Sequence, residues 1–164
     1  QELASYEFIY NEILLSLYLQ KEGGILIIKM FDILYYSSIQ LLYILYLCYD
    51  TIIINKPYTS RSTNSEKYII CKGYKYNSRI IELLNENYKK KDKLMLHIPK
   101  LFLENIKYYN QIFIETQVQN IDIIIEKINS NNIVLNKPTT IQINKAKEWC
   151  NIYNLDINDK CAYL

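Results

Sequence analysis

One lysine stands inside the most apolar run of the chain. Ile25-Leu26-Ile27-Ile28-Lys29-Met30-Phe31 carries a single charge, and its neighbours prefer a core. An ammonium there is costly unless it is paired or reaches a cleft. An amine held in a cleft can take or hold a proton, which is general acid–base chemistry. Lys29 lies near the end of the run, before Phe31-Asp32. In open α/β sheets the functional cleft lies beyond the carboxyl ends of the strands. The competing reading is a strand-end lysine with a buried stem and an ammonium that snorkels to water. By position alone, that second reading is the better one.

A second cluster follows. Lys56-Pro57-Tyr58-Thr59-Ser60-Arg61-Ser62-Thr63-Asn64-Ser65-Glu66-Lys67-Tyr68 is a polar, basic loop running into a strand that opens on a carboxylate. Between Asn55 and Arg79 there are six basic residues against one acid, Glu66, a local net charge of +5. The opening segment is acidic by contrast, with Glu2, Glu7, Glu12 and Glu22. Such asymmetry is the footprint of a phosphate-binding face, or of an ordinary solvated loop. Lys56, Ser60 and Arg61 are the candidates for phosphate contact.

The elements that must position these residues are readable. Leu3, Tyr6, Tyr10, Ile13, Leu14, Leu17 and Tyr18 recur at helical steps, predicting an amphipathic helix over 3–20. Gly23-Gly24 would end it in a left-handed cap. The run from Ile25 predicts a central parallel strand buried on both faces. Ser37 or Ser38 would cap a helix over 38–49. Thr51 to Ile54 and Glu66 to Gly73 predict two further strands, Tyr68 filling the sheet by alternation. The first two strands, joined through a helix, predict a parallel layer; the last two, joined by a loop, an antiparallel pair at the sheet's end. Beyond Tyr76 the spacing predicts helices over 78–90, 99–129 and 140–153, with Pro99 at a helix start. Lys89 to Lys93 reads as a solvated linker, and Asn129 to Pro138 as a polar break.

Composition narrows the class. The chain has 164 residues, is half hydrophobic, and carries a net charge of only +2. It reads as globular, and its total charge does not announce a nucleic-acid binder. Lys29, Asp32 and Ser37-Ser38 interrupt the apolar stretch 25–49, so a membrane span is not expected. Four scattered cysteines without a CxxC argue against a disulfide framework or a zinc site, and no metal is expected. His97, the lone histidine, has no evident Ser or Cys partner. Trp149 and most of the 17 tyrosines read as packing residues. An Ile-, Asn-, Lys- and Tyr-rich chain suggests AT-rich coding, as in a large DNA virus or an AT-rich protist.

Gly23-Gly24-Ile25-Leu26-Ile27-Ile28-Lys29-Met30-Phe31-Asp32, then Leu42-Tyr43-Ile44-Leu45-Tyr46, then Lys56-Pro57-x-Thr59-Ser60-Arg61-x-x-Asn64-Ser65-Glu66-Lys67-Tyr68 resemble the C-terminal half of FtsJ-type (RrmJ-type) RNA 2′-O-ribose methyltransferases. The branch acting on mRNA caps in eukaryotes and large DNA viruses is the most similar. The resemblance implies an α/β fold: the C-terminal half of a Rossmann-like methyltransferase sheet over residues 1–76, followed by a helical extension over 77–164. It implies that Lys29 and Glu66, 37 residues apart, are the second lysine and the glutamate of a Lys-Asp-Lys-Glu tetrad.

The cofactor implied is S-adenosylmethionine, and the partner is RNA, in particular capped mRNA, with capping-complex proteins beside it. The setting implied is intracellular: cytoplasm, or a viral factory or virion. The other lysine, the aspartate and the glycine-rich cofactor turn are expected to precede Gln1, so the chain alone is expected to be inactive. In the implied reaction a lysine removes the proton of a ribose 2′-hydroxyl. A free lysine is mostly charged at neutral pH, and desolvation with a second lysine nearby would disfavour the ammonium. The alternatives are an rRNA or tRNA 2′-O-methyltransferase and a catalytically dead, RNA-binding homologue in a capping complex.

Overall fold

The helical spacing near the start does produce a helix, α1 (Glu2–Leu19), with Ile9, Tyr10, Ile13 and Leu17 buried. These share one stripe because 9, 10, 13 and 17 fall at three- and four-residue steps. Leu3 and Tyr18 lie outside that stripe and are exposed. The computed structural model describes residues 1–58, 60–90, 94–130, 138–158 and 160. Thr59, the Lys91 to Lys93 part of the expected linker, most of the 129–138 break and Cys161 lie outside the described residues.

The helix stops differently from expectation. Its cap is Gln20 in extended conformation. Gly23 is left-handed (φ 75°), but as part of the turn into the first strand, where its amide donates to the Tyr74 carbonyl at 2.8 Å. A Cβ at Gly24 would collide with Gln20 and the Lys21 carbonyl, so that position too is reserved for glycine by packing.

The remaining elements are β1 (Ile25–Met30), α2 (Tyr36–Cys48), β2 (Tyr49–Asn55), β3 (Lys67–Tyr74), α3 (Ser78–Lys90), α4 (Lys100–Asn129) and α5 (Thr140–Ile152). The strands form an open sheet in the order β1-β3-β2, with β3 antiparallel to both neighbours. β1 and β2 run in the same direction but are not neighbours, since β3 lies between them. The expected parallel layer is thus corrected, both pairings of the described sheet being antiparallel, while β2–β3 is the antiparallel pair that a loop connection allows. Together with its flanking helices the sheet makes an α/β fold.

β1 corrects an expectation. It is an edge strand of this sheet, with Ile28 and Met30 buried while Ile25, Ile27 and Lys29 face outward. A continuous apolar run does not say how many of its faces are covered, and among the described residues only one is. The α2 cap is a second correction. Neither Ser37 nor Ser38 caps the helix, whose N-cap is Tyr35 without a side-chain bond. Instead Glu2, nearly buried, accepts the amides of Leu34 and Tyr35, both at 3.0 Å. A carboxylate there satisfies donors before the helix and meets the positive end of its dipole.

The described residues divide into two compact units. The first, residues 1–56 and 65–115, holds the sheet, α1 to α3 and the first half of α4. Its core includes Ile13, Leu17, Leu42, Ile44, Leu45, Ile69, Cys71 and Leu84. Gln40, also buried, donates to the carbonyls of Leu94 (2.7 Å) and Leu96 (3.0 Å), fixing the segment that leads to Pro99 and α4. Pro99 sits before α4 and its carbonyl accepts the Leu103 amide, as its position predicts.

The second unit, residues 57–64 and 116–164, holds the loop after Lys56, the rest of α4 and α5. Thr139 and Gln142 cap α5 reciprocally. Among the described residues no helix is long and apolar enough to cross a membrane, and no cluster of His, Cys, Asp and Glu suited to a metal occurs.

Candidate active site

Antiparallel pairing brings the two candidates together. The C-terminal end of β1 meets the N-terminal end of β3, with Met30 opposite Lys67 and Lys29 opposite Tyr68. Glu66 immediately precedes β3, so a gap of 37 residues in sequence closes to one ion pair: Lys29 Nζ lies 3.3 Å from Glu66 Oε2. The end of β2 arrives at the same edge, since Asn55 pairs with Tyr68. Lys56 follows it, and its Nζ donates to the Glu66 carbonyl at 2.9 Å.

Alternation puts Lys29, Glu66 and Tyr68 together on one side of the sheet and Lys67 on the other. Tyr68 does more than fill the sheet. Its hydroxyl donates to Glu66 Oε1 at 2.8 Å, so one carboxylate oxygen serves the tyrosine and the other the lysine. Sequence reading missed this role, although an i, i+2 pair on one strand face was the available signal. The Lys29 ammonium also stands 5.3 Å from the Phe31 ring centre. About half of the Lys29 side chain is exposed, against a quarter of Glu66. Lys29 and Tyr68 border an open groove of about 470 Å³ whose other wall is Leu15 and Leu19 of α1.

The electrostatics follow from the contacts. The Tyr68 hydroxyl above all, helped by the Lys29 contact and the Lys29 and Lys56 charges, holds the Glu66 carboxyl below the usual carboxylate range, against the opposing effect of burial. The same bond raises the Tyr68 phenol. Burial, with the neighbouring Lys67 charge, lowers Lys56. The result is an amine held in one orientation by a carboxylate that stays ionised, with one side open to a groove. Such a group can hold a bound hydroxyl by hydrogen bonding and, in its neutral amine form, take the proton of that hydroxyl.

Ser60 and Arg61 belong to the second unit. The Ser60 amide closes a turn on the Pro57 carbonyl at 2.9 Å, and the Arg61 carbonyl accepts the Asn64 amide at 3.3 Å. Arg61 is exposed. Gln117 donates to the Thr63 carbonyl, Tyr58 donates to Glu148, and Lys145 lies over the Tyr58 ring. Trp149 packs on Tyr153 at 4.9 Å. His97 is exposed. Cys48 and Cys71 are core thiols that burial pushes up to about 11 and about 12, unsuited to nucleophilic work.

The described residues do not by themselves fit S-adenosylmethionine. All three glycines lie at the opposite end of the sheet from Lys29 and Glu66, at the start of β1 and the end of β3. Gly23 and Gly24 make the turn, and Gly73 packs against Asp50. None contributes to a glycine-rich cradle beside the lysine.

Residues 1–74 match the family of FtsJ-like methyltransferases, a span that contains Lys29, Lys56, Ser60, Arg61 and Glu66. The chain is 34% identical over 137 aligned positions to cap-specific mRNA (nucleoside-2′-O-)-methyltransferase 1A of Caenorhabditis briggsae, covering 71% of this chain and 15% of that protein. It is 31% identical to the inactive 1B protein of the same nematode, covering 71% and 16%. It is 40% identical over 75 positions to the human cap-specific mRNA (nucleoside-2′-O-)-methyltransferase 1, covering 46% and 9%. The chain thus spans about a sixth or less of the length of these relatives. Over part of its length, then, the chain is homologous to the FtsJ-like methyltransferases and to the cap-specific mRNA (nucleoside-2′-O-)-methyltransferases.

Proposed function

We propose that the chain supplies the Lys29–Glu66 half of an active site that methylates a ribose 2′-hydroxyl of RNA, at the mRNA 5′ cap. The observation that carries this is the 3.3 Å ion pair, lying within the residues that match the family. On this reading residues 1–76 form the C-terminal half of a methyltransferase domain and 77–164 a helical extension. S-adenosylmethionine would supply an electrophilic methyl group. Lys29, in its neutral amine form, would take the proton of the ribose hydroxyl and become the ammonium, a contribution of roughly 10²–10⁴-fold. Glu66, held by Tyr68, would aim the amine. Lys56, Ser60 and Arg61 would contact the RNA backbone, which arginine and lysine hold without reading sequence.

The test is Lys29→Ala in the natural full-length polypeptide carrying this chain, assayed for methyl transfer to capped and uncapped RNA. Loss of about two to four orders of magnitude in rate with an unchanged fold is expected. Near-normal transfer by the variant would sink the assignment, and equal activity on uncapped RNA would remove the cap. A second reading has a specific observation behind it: one relative of similar identity is itself an inactive enzyme. On that reading the chain binds RNA as a module and the wild-type protein transfers no methyl group.

A further inference from the structure

We propose that Lys67 is a positioning residue for the Lys29–Glu66 pair, acting from the opposite face of the sheet through Asp32 and the Ser65 carbonyl; this rests on the reading of that pair as the reacting one. Lys67 is the most deeply buried charged side chain of the described chain, only 5% exposed. It cannot reach a solvent-borne RNA phosphate from there, so the charge-footprint reading does not account for it. A lysine is also a poor choice for packing alone, because an apolar side chain of the same length fills such a site without desolvating a charge.

Its partners explain the choice. Lys67 Nζ lies 3.7 Å from Asp32 Oδ1, 3.2 Å from the Ser65 carbonyl, and 5.0 Å from the Phe113 ring centre. Asp32 is three residues past Lys29, in the segment leaving β1, and Ser65 immediately precedes Glu66. One ammonium therefore ties the exit of β1 to the start of β3, beneath the two residues whose side chains must meet above. The ladder ends here, Met30 opposite Lys67 being its last pair. Past that point no strand bond between β1 and β3 fixes the Glu66 backbone. The Lys56 bond to the Glu66 carbonyl holds it from one side and Lys67 from the other.

The experiment replaces Lys67 with Met, and with Arg as the conservative variant, and follows two readouts. The first is the Glu66 carboxyl titration by carbon NMR in the full chain, which requires no methyl transfer. Tyr68, Lys29 and Lys56 are the groups that depress it, so a change on removing Lys67 reads geometry. The second is kcat and KM for methyl transfer in the full-length polypeptide. Lys67→Met should fold, raise the Glu66 titration toward the ordinary carboxylate value, and lower kcat by about tenfold to a hundredfold with KM unchanged. Lys67→Arg should restore both. A folded Lys67→Met protein with unchanged Glu66 titration and unchanged kcat would overturn the proposal. Should Lys67→Met fail to fold, Asp32→Asn carries the test: the same rise at Glu66 supports the tie and an unchanged titration refutes it. A shifted Glu66 in a protein whose Lys29→Ala variant still transfers methyl groups would leave the tie standing and remove the function proposed for the pair.

Discussion

Lys29 stands directly opposite Tyr68 in the β1–β3 ladder, and the two side chains grip the same carboxylate, one at each oxygen of Glu66. An amine, a carboxylate and a phenol from three nearby backbone positions thus form one hydrogen-bonded unit. Removing the phenol leaves the lysine contact in place but frees Glu66 to rotate.

Tyr68→Phe should raise the Glu66 titration, because the tyrosine bond is the largest influence depressing it. A carboxyl whose folded value lies below its unfolded one gives stability that is fully present above the unfolded value. That stability is lost as pH falls through the folded value. Acid unfolding of the wild type should therefore steepen below the ordinary glutamate range, and Tyr68→Phe should soften that dependence. Denaturation midpoints measured from pH 6 down to about pH 3, around the ordinary glutamate value, check it; superimposable profiles contradict it.

The Lys67–Asp32 pair should respond asymmetrically. Asp32 is a third exposed, so water can receive it when Lys67 becomes Met, and the stability change should stay within about 1 kcal/mol. Asp32→Ala leaves a buried ammonium with the Ser65 carbonyl and the Phe113 ring but no carboxylate contact, and should cost about 3 kcal/mol or more. Chemical denaturation of both variants decides the matter, and equal losses would contradict the burial argument.

Arg61 and Lys56 should separate in RNA binding. Arg61 is exposed in its loop, so Arg61→Gln should lower the slope of log affinity against log salt by about 0.7. Lys56→Gln also removes the bond to the Glu66 carbonyl and should depress methyl transfer beyond its effect on binding. An Arg61 variant with an unaltered salt slope would take that residue out of the interface.

Gly73 and Gly23 share a left-handed backbone, at φ 73° and 75°, but not their surroundings. An added methyl at Gly73 would run into Asp50, itself paired with Lys75, whereas Gly23 faces open space. Gly23→Ala should cost about 1–2 kcal/mol from backbone strain alone, and Gly73→Ala distinctly more. Thermal midpoints of the two variants rank them.

Local signals carried most of the fold. The helices after Tyr76 follow the predicted spans, with Pro99 marking where one of them begins; the Thr139–Gln142 box that starts another emerges only from the structure. Connection lengths gave the strand directions. The position of β3 between β1 and β2 was out of reach, because strand order is set by tertiary packing. By residue type Glu2 is one of four acids of the acidic opening segment, yet it is buried on two backbone amides 32 and 33 residues away. Lys67 was counted toward a basic surface, yet its register opposite Met30 turns it into the core. In both, a charge was assigned to solvent by type, and the fold supplied partners that residue type does not announce. Lys29 and Glu66 were legible through family resemblance, while position alone favoured a snorkelling lysine.

The outward edge of β1 has a colloidal consequence. It pairs with no strand among the described residues, and the exposed Ile27 lines one groove with the exposed Leu15 and Leu19 of α1. A strand edge of this kind is ready to accept a further strand, and Lys29 is the one charge along β1. Lys29, proposed above to receive a proton, is thus also the charge that limits pairing of this edge with other copies of the chain. Neutralising it would favour self-association of the chain.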